Sequence, residues 1–182
     1  GIFLLSKELF GHKTARLAAI LYTILPFTLI YDRLALYDSL LTALCIFSVY
    51  FAVLLAKNPR MDYALLTGMV VGLGLITKSS AMLFLYLLPM PLILVNIKKG
   101  RIIKYSVAYL PLAILSVILS QIIYNSLRLS PLFYMIGRKN MEFIRPLGEV
   151  LQNPFSYFFS NSNAMITWLN SYLGIPLIII FL

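Results

Sequence analysis

Charge is what this chain has least of. Aspartate and glutamate number 6, lysine and arginine 15, and charged side chains are 12% of the 182 residues. A soluble domain carries about 25% charged residues, so the composition argues against a soluble fold. Cysteine occurs once, at Cys45, which rules out a disulfide framework and a paired-thiolate metal site within the chain. Cys45 lies in a long apolar run and reads as a small packed hydrophobe. Histidine also occurs once, at His12, which removes histidine-rich zinc chemistry. No short-period repeat is evident.

What remains is apolar. Hydrophobic residues make up 61% of the chain, and the mean hydropathy is +0.92. Six runs carry no charge: Leu17–Tyr31, Ser39–Ala56, Tyr63–Thr77, Ser79–Ile97, Tyr105–Leu127 and Val150–Leu182. A membrane-crossing helix needs roughly 17–25 such residues. The two shortest runs, 15 residues each, need Arg16 and Lys78 to snorkel at their ends. The expected fold is all-α, a polytopic transmembrane helical bundle truncated at both ends. Residues 1–182 read as one transmembrane domain fragment, with about five full spans and a partial span at each end. The chain starts at Gly1 inside an apolar stretch and stops at Leu182 inside another, so both ends read as cut spans.

Loop charge sets the expected orientation. Lys7–Arg16, Lys57–Asp62 and Lys98–Lys104 hold nine basic and two acidic side chains, a net +7. Asp32–Asp38, Lys78 and the segment from Arg128 to Asn163 hold six basic and four acidic ones, a net +2. The shorter, more basic set belongs in the cytoplasm by the positive-inside rule. The other set then faces outward, across a plasma membrane. The excess of Lys and Arg is accounted for by topology and anionic headgroups. Because it is split between two faces, nucleic acid is excluded as a partner.

Local signals add detail. Thr14 is a candidate N-cap for a helix starting near Ala15, and Pro26 is expected to kink that helix. Asn58-Pro59 marks a turn. Gly68 and Gly72 form a small-xxx-small pair, read as packing within the protein in preference to dimerisation. Lys78-Ser79-Ser80 is the expected tip of a helical hairpin, with Pro89 and Pro91 loosening the end of the returning helix. Pro111 lies inside the 105–127 span. Residues 128–163 mix aromatics with Arg and Lys, which suits short helices along the outer surface. Trp168 is the expected interfacial anchor before the last span.

The densest polar motif is Tyr31-Asp-Arg-Leu-Ala-Leu-Tyr-Asp38, with two carboxylates and a guanidinium between apolar runs. Charge at a bilayer face is costly and usually functional. Asp38 has two open readings: an N-cap carboxylate at a positive helix end, or a carboxylate that holds a divalent metal or orients a polar substrate. Arg33 is expected to pair with Asp38 or Asp32, with bidentate phosphate binding as the alternative. Asp32 reads as a solvated loop charge. Lys78 is either a snorkelling residue at a hairpin tip or a contact for a lipid phosphate. Arg128, Arg138, Lys139 and Arg145 read chiefly as surface charges, one or two of which could bind phosphate. No spacing supports Glu142 or Glu149 as acid or base.

In this order the pieces resemble a family. Gly11-His-Lys-Thr-Ala-Arg-Leu-Ala-Ala-Ile-Leu-Tyr-Thr-Ile-Leu-Pro-Phe, followed by Tyr-Asp-Arg-Leu-Ala-Leu-Tyr-Asp-Ser-Leu-Leu, is similar to the polytopic glycosyltransferases of family 39. These are the protein mannosyltransferase type with the GT-C fold. Arg33 and Asp38 match the family's Arg-x-x-x-x-Asp-x-Leu-Leu. Gly72-Leu-Gly-Leu-Ile-Thr-Lys78 resembles its Gly-Leu-x-x-Leu-Thr-Lys. Ser130-Pro-Leu-Phe-Tyr-Met-Ile-Gly-Arg-Lys-Asn140 is similar to an outer segment of some microbial members. Asp32 departs from the pattern, which often has Ser there.

The resemblance implies an inverting transferase that moves a sugar from a polyprenyl-phosphate carrier to an acceptor at the outer face. It places the principal acidic residue in a first outer loop that would precede Gly1. Asp38 is then the catalytic-site carboxylate of this fragment. Arg33, Lys78, Arg128 and Arg138 are its candidate substrate-binding residues. The expected partners are membrane lipid and the lipid-linked sugar. Two other functions fit a polytopic chain: a transporter or flippase of lipid-linked sugars, or a non-catalytic membrane subunit. A transporter would place charge near the bilayer midplane, whereas here the charges cluster at the ends of the runs.

Overall fold

A computed structural model describes residues 1–34, 36–95, 102–142, 147–152, 154–155 and 158–173. The described residues form helices and turns, with no strand among them. The helices are α1 (Ile2–Phe10), α2 (His12–Ile24), α3 (Pro26–Tyr31), α4 (Tyr37–Lys57), α5 (Met61–Thr77), α6 (Met82–Leu87), α7 (Ile102–Asn125), α8 (Tyr134–Met141), α9 (Leu147–Gln152) and α10 (Phe158–Leu173). This is the expected all-α class. Two stretches are long and apolar enough to cross a membrane, Tyr37–Lys57 and Ile102–Leu129, the second running past α7 into a 3-10 turn. Lys98, Lys99, Arg101, Phe143, Arg145, Tyr157, residues 174–182 and the Glu149 side chain, which also figure in the sequence reading, lie outside the described structure.

The N-terminal elements correct two expectations. The second helix starts at His12, not near Ala15, and Thr14 caps nothing. Its hydroxyl instead donates to Phe10 O at 3.5 Å. The break is set by Gly11, at φ 86 and ψ 177, a backbone region essentially closed to side chains. The Phe3 and His12 rings consequently lie 6.4 Å apart. Nine residues of unbroken helix, at about 1.5 Å per residue, would hold them farther apart, so the chain folds back at Gly11. Pro26 breaks the helix outright, where a kink was expected. Leu25 takes φ −57 and ψ 125, the extended form favoured before proline, and α3 restarts with Pro26 in its first turn. The Thr28 hydroxyl lies against both Tyr22 O and Leu25 O, so it can donate to either of two carbonyls at the break.

The centre is a three-helix unit of α4, α5 and α7. Asn58-Pro59 turns α4 into α5, as expected, with Asn58 extended before the proline. Contacts along α5 and α7 rise together in sequence, so the two helices run parallel. A Cβ on Gly68 would lie 2.7 Å from Ser116 O, and one on Gly72 2.8 Å from Ile123 Cβ. These glycines let two backbones approach within the molecule, the packing expected for the pair. The buried Ser116 hydroxyl lies 2.9 Å from Ala64 O on α5 and 3.0 Å from Leu112 O on its own helix. Its single proton serves one carbonyl at a time. Ser116→Ala should therefore cost only about 1 kcal/mol, read as a small drop in unfolding temperature in detergent.

The run 79–97, expected as one helical span, is divided. A 3-10 turn at Ser79–Ala81 leads into the six-residue α6, then a second 3-10 turn at Met90–Leu94. Pro89 and Pro91 lack the N–H groups a continuous helix would use. Val71, Leu75, Ala81 and Phe84 form one buried cluster, and Leu55, Ala56, Ala64 and Tyr109 form another. The outer face of α7 leaves Ile103, Val107, Leu110, Ile114, Ile118 and Ile122 exposed. That is an exposed apolar helical stripe, of the kind lipid contact requires. Short helices α8 and α9 follow, as expected for this segment. Trp168 lies inside the exposed helix α10, and the end of the span expected after it falls outside the described residues.

Candidate functional site

Helix direction sorts the charges. α4 and α5 are antiparallel, so the start of α4 and the end of α5 share one pole of the unit. The end of α4 and the start of α5 share the other. At that second pole Lys57 Nζ bonds Glu8 Oε1 and Glu8 O, each at 2.8 Å. Arg60 pairs with Asp62 there, and the Tyr105 hydroxyl donates to Ala56 O at 2.7 Å. These contacts tie helix ends together.

The first pole is different. Lys78 follows α5 in an extended conformation, φ −159 and ψ 140, which ends the helix and turns its side chain back along α4. Its Nζ lies 2.7 Å from Asp38 Oδ1 and 4.9 Å from the centre of the Tyr37 ring, within cation–π range. Asp38 sits in the first turn of α4 and makes no capping hydrogen bond. The N-cap reading of Asp38 and its expected pairing with Arg33 are both corrected: the partner is Lys78, forty positions away. The hydrogen bond to Asp38 is the main cause that raises the Lys78 pKa above its ordinary 10.5, against a smaller opposing effect of burial. The ammonium is therefore fixed in its charged form.

Beside this pair opens a cavity of about 680 Å³ lined by Tyr37, Thr77, Lys78, Ser79, Ser80, Ile136, Lys139 and Asn140. Among these residues the charged ones are Lys78 and Lys139, and four others carry hydroxyls. Asp38 is not on the wall, and neither is Glu142, which pairs with Lys139. The lining is cationic and rich in hydrogen-bond donors, so its chemistry suits an anion that also presents acceptors. Of Arg138 and Lys139, both read from the sequence as possible phosphate contacts, Lys139 lines this cavity. Sequence reasoning also passed over Tyr37, Thr77, Ser79 and Ser80 as ligand contacts. The hydroxyl-rich string Thr77-Lys-Ser-Ser80 was the available signal.

The other candidates lie apart from this wall. Asp32 is not a free loop charge, because the Tyr22 hydroxyl donates to its Oδ2 at 2.9 Å. Arg33 shares with Tyr22, Thr23, Thr28, Leu29 and Asp32 a second cavity of about 240 Å³, and among the described residues it makes no ion pair. The Ser39 hydroxyl donates to Tyr31 O at 3.0 Å, linking this loop to the start of α4. Arg128 stacks its guanidinium 5.5 Å from the Phe133 ring centre. Arg138 is exposed. No three His, Cys, Asp or Glu side chains gather to hold a metal among the described residues.

Among the described residues, a helical, largely apolar unit with two stretches of membrane-crossing length is the architecture of a membrane protein. The chain belongs to the family described as dolichyl-phosphate-mannose-protein mannosyltransferase, which matches residues 1–124. It is a membrane glycosyltransferase of the mannosyltransferase type. No match was found among curated proteins or solved structures.

Proposed function

We propose that the Lys78 pole is the donor end of an inverting glycosyl transfer, from a polyprenyl-phosphate sugar to an acceptor at the outer face of the plasma membrane. The chain is then a single multi-pass transmembrane domain, with residues 128–163 forming its outer interfacial segment. The observation that carries this reading is the Lys78–Asp38 ion pair, 2.7 Å long, at the edge of a cationic cavity. The basic surplus of the opposite pole supports a cytoplasmic position for that pole.

The chemistry follows from charge. The acceptor hydroxyl attacks the anomeric carbon and gives its proton to a general base other than Asp38, the bond from that carbon to the phosphate oxygen breaks, and negative charge grows on the departing phosphate. Lys78 stabilises that charge with a fixed ammonium. Asp38 holds the ammonium in place, and its commitment to Lys78 makes it a positioning residue in preference to the base. Arg33, next to the linked loop, is the candidate contact for the acceptor side or for a phosphate oxygen.

The test uses full-length protein in sealed vesicles. Arg33→Cys, Asp38→Cys and Lys78→Cys, each in a Cys45→Ser background, should react with an impermeant maleimide added from outside. Reaction only from the cytosolic side, or from opposite sides, would overturn the orientation. Asp38→Asn should lower sugar transfer about tenfold at normal membrane expression, as expected for a lost charge-assisted contact. Unchanged transfer would remove Asp38 from the site.

A further inference from the structure

We infer that α8 completes the donor site, with Lys139 as a second cation for the lipid-borne phosphate and Asn140 as a neighbouring polar contact. The inference rests on the donor reading given above and extends it to a segment outside residues 1–124, the part the family matches.

The cavity has two walls. Tyr37 and Thr77–Ser80 make one, and Ile136, Lys139 and Asn140 make the other. Positions 136, 139 and 140 have the i, i+3, i+4 spacing that brings side chains onto one face of a helix. Arg138 is a different position on that helix and is not among the lining residues. Lys78 pairs with Asp38, and Lys139 pairs with Glu142. Neither carboxylate is among the lining residues, and an arriving phosphate would share each ammonium with its carboxylate. A phosphate ester presents several acceptor oxygens and at least one negative charge. Two ammonium groups facing one volume, with the hydroxyls of Ser79 and Ser80, satisfy that chemistry. Ile136 adds an apolar surface for the start of a lipid chain. A neutral sugar alone would not need a lining whose charged members are both positive.

The test measures the intact protein in nanodiscs with two probes, polyprenyl phosphate and inorganic phosphate. Lys139→Gln should weaken polyprenyl-phosphate binding about tenfold, the effect of one charge-assisted hydrogen bond. It should raise the donor KM by a similar factor while kcat stays nearly constant. Lys139→Arg should restore most of the affinity. Lys13→Gln, at the start of α2, removes the same formal charge and should leave binding unchanged. Inhibition by inorganic phosphate that weakens in Lys139→Gln would support recognition of the phosphate alone. Binding of polyprenyl phosphate only, still weakened by Lys139→Gln, would support the lipid-borne source. Wild-type affinity in Lys139→Gln, or equal losses in Lys139→Gln and Lys13→Gln, would overturn the inference. If Lys78→Ala loses binding while Lys139→Gln does not, the donor site stands without α8. If neither loses it, the donor reading fails as well.

Discussion

Lys78→Ala should lower mannosyl transfer by about 10²–10³-fold, the range seen when one preorganised donor to developing negative charge is removed. The loss should appear in kcat as well as in kcat/KM, because the charge on the leaving phosphate is greatest in the transition state. Lys78→Arg should recover part of the rate, since the charge returns but the compact ammonium geometry does not. Folding should be little affected. The pair is half exposed, with side-chain exposures of 40% for Lys78 and 50% for Asp38, and solvent screens such pairs. The pH dependence has a definite sign. The folded pKa of Lys78 lies above its ordinary 10.5. The stability from its charge is therefore complete below 10.5 and is lost only as pH rises through the higher folded value. No fall in donor binding below 10.5 should trace to this lysine. A normal rate in Lys78→Ala would show that the phosphate is neutralised elsewhere.

The second large effect is structural. Gly68→Leu should prevent the α5–α7 contact from forming, and even Gly68→Ala should cost about 1–3 kcal/mol, the usual price of overpacking. The atom nearest an added Cβ is a backbone oxygen, Ser116 O at 2.7 Å, with Leu119 Cβ at 3.0 Å. A backbone carbonyl cannot swing aside, so the helices must separate and uncover Ser116 and Thr67, both now buried. Gly72→Ala should cost a similar amount, because the nearest atom, Ile123 Cβ at 2.8 Å, is fixed by the backbone of α7. Thermal unfolding of the detergent-solubilised protein would rank the three variants. A Gly68→Ala protein as stable as the parent would mean that α5 and α7 are not closely packed. Gly11→Ala offers no such comparison, since no atom lies within 4 Å of its Cβ position and only its φ of 86° disfavours a side chain.

Much of the bundle was legible because its causes are local. Uncharged runs of membrane length gave the helices, Asn58-Pro59 gave the α4–α5 turn, and the Gly68–Gly72 spacing gave the close contact with α7. Errors fell where a single backbone torsion decided the outcome. Gly11 folded the chain back before Thr14 could cap, and Leu25, forced extended by Pro26, cut a helix that was expected only to bend. The candidate site was legible by residue type but not by partner. Arg33, Asp38 and Lys78 were singled out as charges at run ends, yet spacing favoured the five-residue Arg33–Asp38 pair over the forty-residue Asp38–Lys78 pair. Sequence separation measures proximity only until antiparallel helices bring distant ends together.

The sequence by itself determined that this is an apolar helical protein whose charges gather at helix ends. Burying apolar side chains in lipid is favourable and burying charges is not, whatever the fold. Only the tertiary structure decided which charges meet. The antiparallel packing of α4 on α5 sets Asp38 against Lys78, and the position of α8 brings Lys139, not Arg138, to the same cavity. Electrostatic energy falls off over a few ångströms, so it depends on where the helices lie against one another rather than on the order of residues along the chain.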